Sequence, residues 1–137
     1  MHSGRLNIRL GIVVMITATF GGFALGNSLD PYFEHGYAQI PFWRYLMKAG
    51  HTHGMPFGLI NIVFGMLISR LTCSDRVKTI ASILTATAIL LPLGVFLRGV
   101  SEGAKWAEAI AVIGGFSLLG ACVSLLVGLG AKDKSLK

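Results

Sequence analysis

Lys48-Ala49-Gly50-His51-Thr52-His53-Gly54-Met55-Pro56-Phe57-Gly58-Leu59-Ile60-Asn61 is the stretch on which the reading of this chain turns. Two histidines, one residue apart, stand at the mouth of an apolar run that continues to Ile68, with Pro56 and Asn61 just behind them. A helix needs about 20 predominantly apolar residues to cross a hydrocarbon core. The run at 51–70 meets that length, and outward from it lie three more, at about 9–27, 77–97 and 106–129. A segment exposed to lipid must satisfy its own backbone hydrogen bonds, so each run reads as a helix. The expected fold is all-α: an integral membrane four-helix bundle, with residues 1–137 as a single membrane domain.

Composition agrees. The chain is 53% hydrophobic and 13% charged, with a mean hydropathy of +0.69, whereas a soluble domain carries roughly 25% charged residues. The net charge of +6 forms no basic stripe with interleaved aromatics, so nucleic acid is not an expected partner. The positive residues instead sort by topology. Arg5, Arg9, Arg70, Arg76, Lys78, Lys132, Lys134 and Lys137 fall at one end of the spans, and Arg44, Lys48, Arg98 and Lys105 at the other. Eight against four puts both termini on the cytoplasmic side by the positive-inside rule and the histidines near the outer face. The expected location is a bacterial cytoplasmic (inner) membrane, with the lipid bilayer as first partner. Cys73 and Cys122 are far apart and read as packed small residues.

The run at 9–27 follows Arg5 and Arg9 but outlasts a signal-peptide core and lacks an Ala-x-Ala site, so it reads as a retained helix. Ala18, Gly22 and Gly26 give it a small face, as Gly120, Ser124 and Gly128 do in the last run; such faces let helices approach closely in lipid. Asn27-Ser28-Leu29-Asp30-Pro31 reads as a stop and turn. The aromatics of the following segment, Tyr32, Phe33, Tyr37, Phe42, Trp43 and Tyr45, favour the headgroup level and imply an interfacial lid. Pro41 is placed to open a helix that runs on towards His51.

Successive residues of a helix advance by ~100°, so His51 and His53 point to nearly opposite sides unless the glycines at 50 and 54 unwind the backbone. Three readings stand. The pair hydrogen-bonds backbone or headgroups; or a copper or zinc ion is held by His35, His51 and His53; or one histidine ligates a haem, which needs only one protein ligand. Ionisable side chains at membrane depth are costly and usually functional. Asn61 must find a partner at mid-membrane, either as glue between helices or as a donor to a substrate oxygen. Arg44 and Arg98, on the histidine side, snorkel to headgroups or pair with carboxylates. The sequence carries no hydrolytic triad, phosphate loop or haem-attachment motif.

Trp43 and Arg44, then His53-Gly54-Met55-Pro56, then Asn61, resemble the element that opens the second helix of the styrene oxide isomerases: a tryptophan, a basic residue, His-Ser-Gly-Pro and an asparagine. The resemblance implies a trimeric four-helix membrane protein with haem b between subunits, whose ferric iron isomerises a small apolar epoxide to an aldehyde. It implies His53 as axial ligand, with His51 as alternate or pocket residue, Arg44 and Arg98 near the haem carboxylates, and Asn61 orienting the epoxide oxygen. The family's asparagine follows its ligand by six positions, where this chain has Leu59, and its catalytic tyrosine falls nearest Phe96. Beside this stands a reading of another class, a non-enzymatic accessory subunit of a larger membrane complex, motivated by the two small-residue faces.

Overall fold

The structure is a computed structural model that describes residues 4–33 and 41–133. Its elements are α1 (Arg5–Phe33), α2 (Phe42–Arg70), α3 (Asp75–Thr87), α4 (Leu90–Val100) and α5 (Lys105–Asp133), and the described residues contain no strand. Four stretches are long and apolar enough to cross a membrane: Arg5–Asn27, Phe42–Arg70, Asp75–Val100 and Lys105–Gly130. The third holds α3 and α4, two halves of one span. Pro92 explains the break, because it has no N–H for the Ala88 carbonyl and its ring crowds that oxygen. Shorter-range bonds fill the gap, from Ile89 N–H to the Ala86 carbonyl at 3.3 Å and from Leu91 N–H to the Ala88 carbonyl at 3.0 Å.

Two expectations are corrected. The stop at Asn27–Pro31 does not occur, since α1 continues to Phe33. Pro31 stands in the last turn, where its missing donor forfeits only the bond to the Asn27 carbonyl. The interfacial lid is likewise reduced, because residues 42–50 are the first turns of α2, with Pro41 as the residue before the helix. Those turns have a surface to pack on: a Cβ on Gly99 of α4 would lie 2.6 Å from Met47 and from the Trp43 carbonyl. Residues 34–40, including Glu34, His35 and Tyr37, lie outside the described residues.

Neighbouring spans run antiparallel and approach through glycines. Gly58 of α2 faces the Gly11 carbonyl and Met15 of α1; Gly50 of α2 faces the backbone of Phe96 in α4; Gly114 of α5 faces the Leu90–Leu91 backbone. At Gly50 a Cβ would fall 2.5 Å from the Phe96 nitrogen, so that crossing admits no side chain. The small faces seen in sequence are spent largely within the chain: Ala18 meets Gly54, Gly22 meets His51, Gly120 meets Leu84 and Gly128 meets Leu71. Both cysteines are free, and Cys73 packs on the cluster of Ile68, Leu71, Ala81 and Leu125.

The four spans form a row. α2 packs on α1, α3 and α4, and α5 packs on α3 and α4 from the other side. α1 reaches α3 near its own start, through a buried polar network. There the Asn7 amide donates to the Ser82 carbonyl at 2.8 Å and to Asn61 Oδ1 at 3.3 Å, and the Ser82 hydroxyl donates to Asn7 Oδ1. Asn61 donates to the Phe57 carbonyl at 3.2 Å and the Thr85 carbonyl at 3.0 Å. Asn7, Asn61 and Thr85 are fully buried. Each side chain of this network thus has its partners, which removes the penalty of stranding it among apolar helices.

Candidate functional site

On α2, Lys48 and Arg70 lie 22 positions apart, about 33 Å of helix at 1.5 Å per residue, close to the ~30 Å of a hydrocarbon core. His51 and His53 are the titratable side chains within that interval, less than two turns below Lys48. The helix is unbroken through Gly50, Gly54 and Pro56, so the histidines project to different sides, as a regular helix requires. No extended His-x-His forms.

His53 lies on the exposed arc of α2, with Thr52, Met55, Pro56 and Leu59. Its Nδ1 stands 2.7 Å from the Ala49 carbonyl. A carbonyl only accepts, so this contact requires the proton on Nδ1, and in the neutral ring it leaves Nε2 with its lone pair free. A metal-ligating histidine is commonly held in this way, its second nitrogen donating to a backbone carbonyl. Pro56 adds to the polarity of the same arc, because it offers no N–H to the Thr52 carbonyl one turn back.

His51 turns inward, towards α1. Its Cε1–Nε2 edge rests against Gly22, where a Cβ would come within 2.8 Å of Nε2, while Nδ1 lies on the Gly21 side. Nδ1 is buried and has no hydrogen-bond partner among the described residues. The ring forms part of a cleft of about 310 Å³. Its floor is Gly50, His51 and Gly54 of α2; one wall is α1, from Val14 to Gly21, and the other is Ile89, Pro92, Leu93 and Phe96, reaching from the α3–α4 break along α4. Since α1 contacts α3 near its start but makes no comparable contact with α4, the two walls stand apart above α2. Thr17 and Leu93 are exposed at the mouth.

The remaining candidates disperse. Asn61 belongs to the buried network and does not line the cleft; both of its N–H groups already donate to carbonyls, so a substrate oxygen would have to displace one of them. Arg98 pairs with Glu108 at 3.2 Å and has a buried Nε without a partner among the described residues. Arg44 stacks over the Trp43 ring, 4.9 Å from its centroid. Phe96 borders the cleft, on the wall opposite α1. No three His, Cys, Asp or Glu side chains among the described residues gather around one point, and His35 lies outside them.

Sequence reasoning missed the cleft as a unit, although the Gly21-Gly22 doublet and Pro92 each carried a sign of it. A glycine doublet in a span marks a place where something bulky approaches, and here that is the His51 ring. Comparison with models of protein families, with curated proteins and with solved structures finds no match for this chain.

Proposed function

We propose that this chain is an integral protein of a bacterial cytoplasmic membrane, with both termini cytoplasmic, and that its copies assemble as a homo-oligomer, a trimer by the resemblance, around haem b ligated by His53. One observation carries the reading: an imidazole whose tautomer is fixed by the Ala49 carbonyl presents Nε2 outward, from an exposed arc of a helix of membrane-spanning length. An ionisable group at such a position is costly in hydrocarbon unless it meets a partner there, and among the described residues of its own chain Nε2 meets none. The residues fit the group. Nδ1–H held by a carbonyl raises the basicity of Nε2 and fixes the ring plane, and Met55, Pro56 and Leu59 supply an apolar flank. Arg44 and Arg98 lie at the same end of the spans as His53, Arg98 paired with Glu108, and guanidinium forks suit haem carboxylates.

Bound there, a ferric haem supplies a Lewis acid, and the activity proposed is isomerisation of a small apolar epoxide to a carbonyl compound. The chain's own part is to fix the ligand, exclude water along the exposed arc and admit an apolar substrate from the bilayer. Isomerisation needs no oxidant or reductant. Asn61 stays a packing residue in this account. The accessory-subunit reading loses its main motive, because most of the small-residue faces are filled from within the chain.

The test is conversion of styrene oxide to phenylacetaldehyde by the purified, haem-supplemented protein. Turnover by the wild type and by His51→Ala, with background rates for His53→Ala, is the expected outcome. Equal rates in wild type and His53→Ala contradict the assignment.

A further inference from the structure

We propose that the cleft between α1, α2 and α4 is a second binding site, distinct from the His53 face, that takes a small neutral lipophilic alcohol and hydrogen-bonds its hydroxyl through His51. The two imidazoles leave α2 on different sides, so this site stands whether or not anything is bound at His53.

Size sets the first limit. About 310 Å³ is the lower end of the range for small-molecule pockets, room for a single ring with a short substituent and too little for a sterol or a fused-ring cofactor. Chemistry sets the second. The lining is apolar except for Thr17 and His51, and the Thr17 hydroxyl is engaged with the Val13 and Val14 carbonyls, both at 3.0 Å. That leaves His51 as the residue of the lining whose ring nitrogens make no hydrogen bond among the described residues, with Nδ1 buried. A charged ligand would find no counter-charge in this lining, and a hydrocarbon would leave Nδ1 stranded. A hydroxyl both donates and accepts, so it serves either tautomer of the ring. Nδ1 is shielded as the ring stands, so its use requires rotation about the Cβ–Cγ bond, whose energy well is broad for histidine.

Access sets the third. The mouth is framed by Thr17 and Leu93 on the sides of two helices, and it opens sideways, along the spans. A ligand therefore arrives from the apolar phase, where a lipophilic alcohol concentrates. Gly21 sits beside Nδ1 with room to spare: a Cβ there meets only that atom, at 3.8 Å. A larger side chain at 21 would fill the cleft without forcing backbones apart.

Fluorine NMR titration of the detergent-purified protein tests this with methyl para-fluorophenyl carbinol and its isosteric hydrocarbon para-fluorocumene, each corrected for partition into empty micelles. Wild type is expected to bind the alcohol saturably and about fivefold more tightly than the hydrocarbon, the yield of one net hydrogen bond. His51→Leu should erase that preference, His51→Gln should recover part of it, and Gly21→Leu should abolish binding of both probes. Non-saturable uptake, equal binding of the two probes by wild type, or alcohol binding that survives Gly21→Leu overturns the proposal. The wild-type preference is read without any variant, so a substitution that fails to fold does not shelter the claim.

Discussion

Ala49 and His53 are separated by one helical turn, and their contact does more to define the candidate ligand than the identity of the histidine does. With Nδ1 on the Ala49 carbonyl at 2.7 Å, the outward nitrogen is Nε2, and the ring is held in the attitude a ligand needs. His51, two positions earlier, has the opposite arrangement: its Nε2 edge is packed on Gly22 and its Nδ1 is stranded. Gly22→Ala should therefore displace the His51 ring and leave His53 untouched. Histidine ring shifts in a proton–nitrogen NMR correlation spectrum would show one resonance moved and the other fixed. Asn61 makes a contrasting case. Asn61→Leu removes two donors and strands part of Asn7, and we expect a loss of about 1–2 kcal/mol of stability in detergent, read as a lower thermal midpoint. An unchanged midpoint would mean that the network carries no net energy. At this scale the sequence was half legible. That Asn61 needed a partner followed from its place in an apolar run; that the partners were Asn7, Phe57 and Thr85 did not, because they come from three helices whose register no single segment states.

Helix ends and breaks are governed by a few prolines and glycines. Pro41 opens α2 and Pro92 splits the third span; Pro56 sits within α2 without ending it. Pro31 does not stop α1, since a proline in a last turn forfeits a single bond. The four spans themselves were plain in the sequence, because twenty apolar residues in a row admit few alternatives. The early start of α2 was legible at Pro41, but the contact with Gly99 that holds its first turns, some fifty positions away, was not. The glycine crossings give a paired prediction. Gly114→Ala drives a methyl into the Leu90–Leu91 backbone and should destabilise by roughly 1–3 kcal/mol. Gly26→Ala meets nothing within 4 Å and should be neutral or slightly stabilising, because alanine is the better helix former. Thermal midpoints measured on both variants check the contrast, and a larger loss at 26 than at 114 would refute this packing.

Across the whole molecule, the row of spans leaves large apolar side chains uncovered on the outer helices. Phe20 and Phe23 of α1 and Phe116 of α5 are each at least 70% exposed. Exposure of that kind suits lipid or a second copy, and a soluble monomer rarely tolerates so much of it. The proposed homo-oligomer predicts a single species larger than one chain when the protein is extracted in a mild detergent and weighed by light scattering. A monomer that nonetheless retains haem would separate ligation from assembly. The net charge and its uneven distribution were readable from sequence alone, and the antiparallel packing does bring Arg9, Arg70 and Lys78 to one end and Lys48 and Arg98 to the other. The cleft was not readable, since its walls come from three spans and its room lies beside Gly21, where a Cβ would meet only His51 Nδ1.

The central claim is that His53 Nε2 holds a haem. The measurement that meets it most directly is the absorption spectrum of the purified protein, oxidised and then dithionite-reduced, for wild type, His51→Ala and His53→Ala expressed with ample haem. Ligation by His53 predicts a Soret band in wild type and in His51→Ala that is lost in His53→Ala and restored to that variant by added imidazole. A colourless wild type, or a Soret band that persists unshifted without His53, contradicts it.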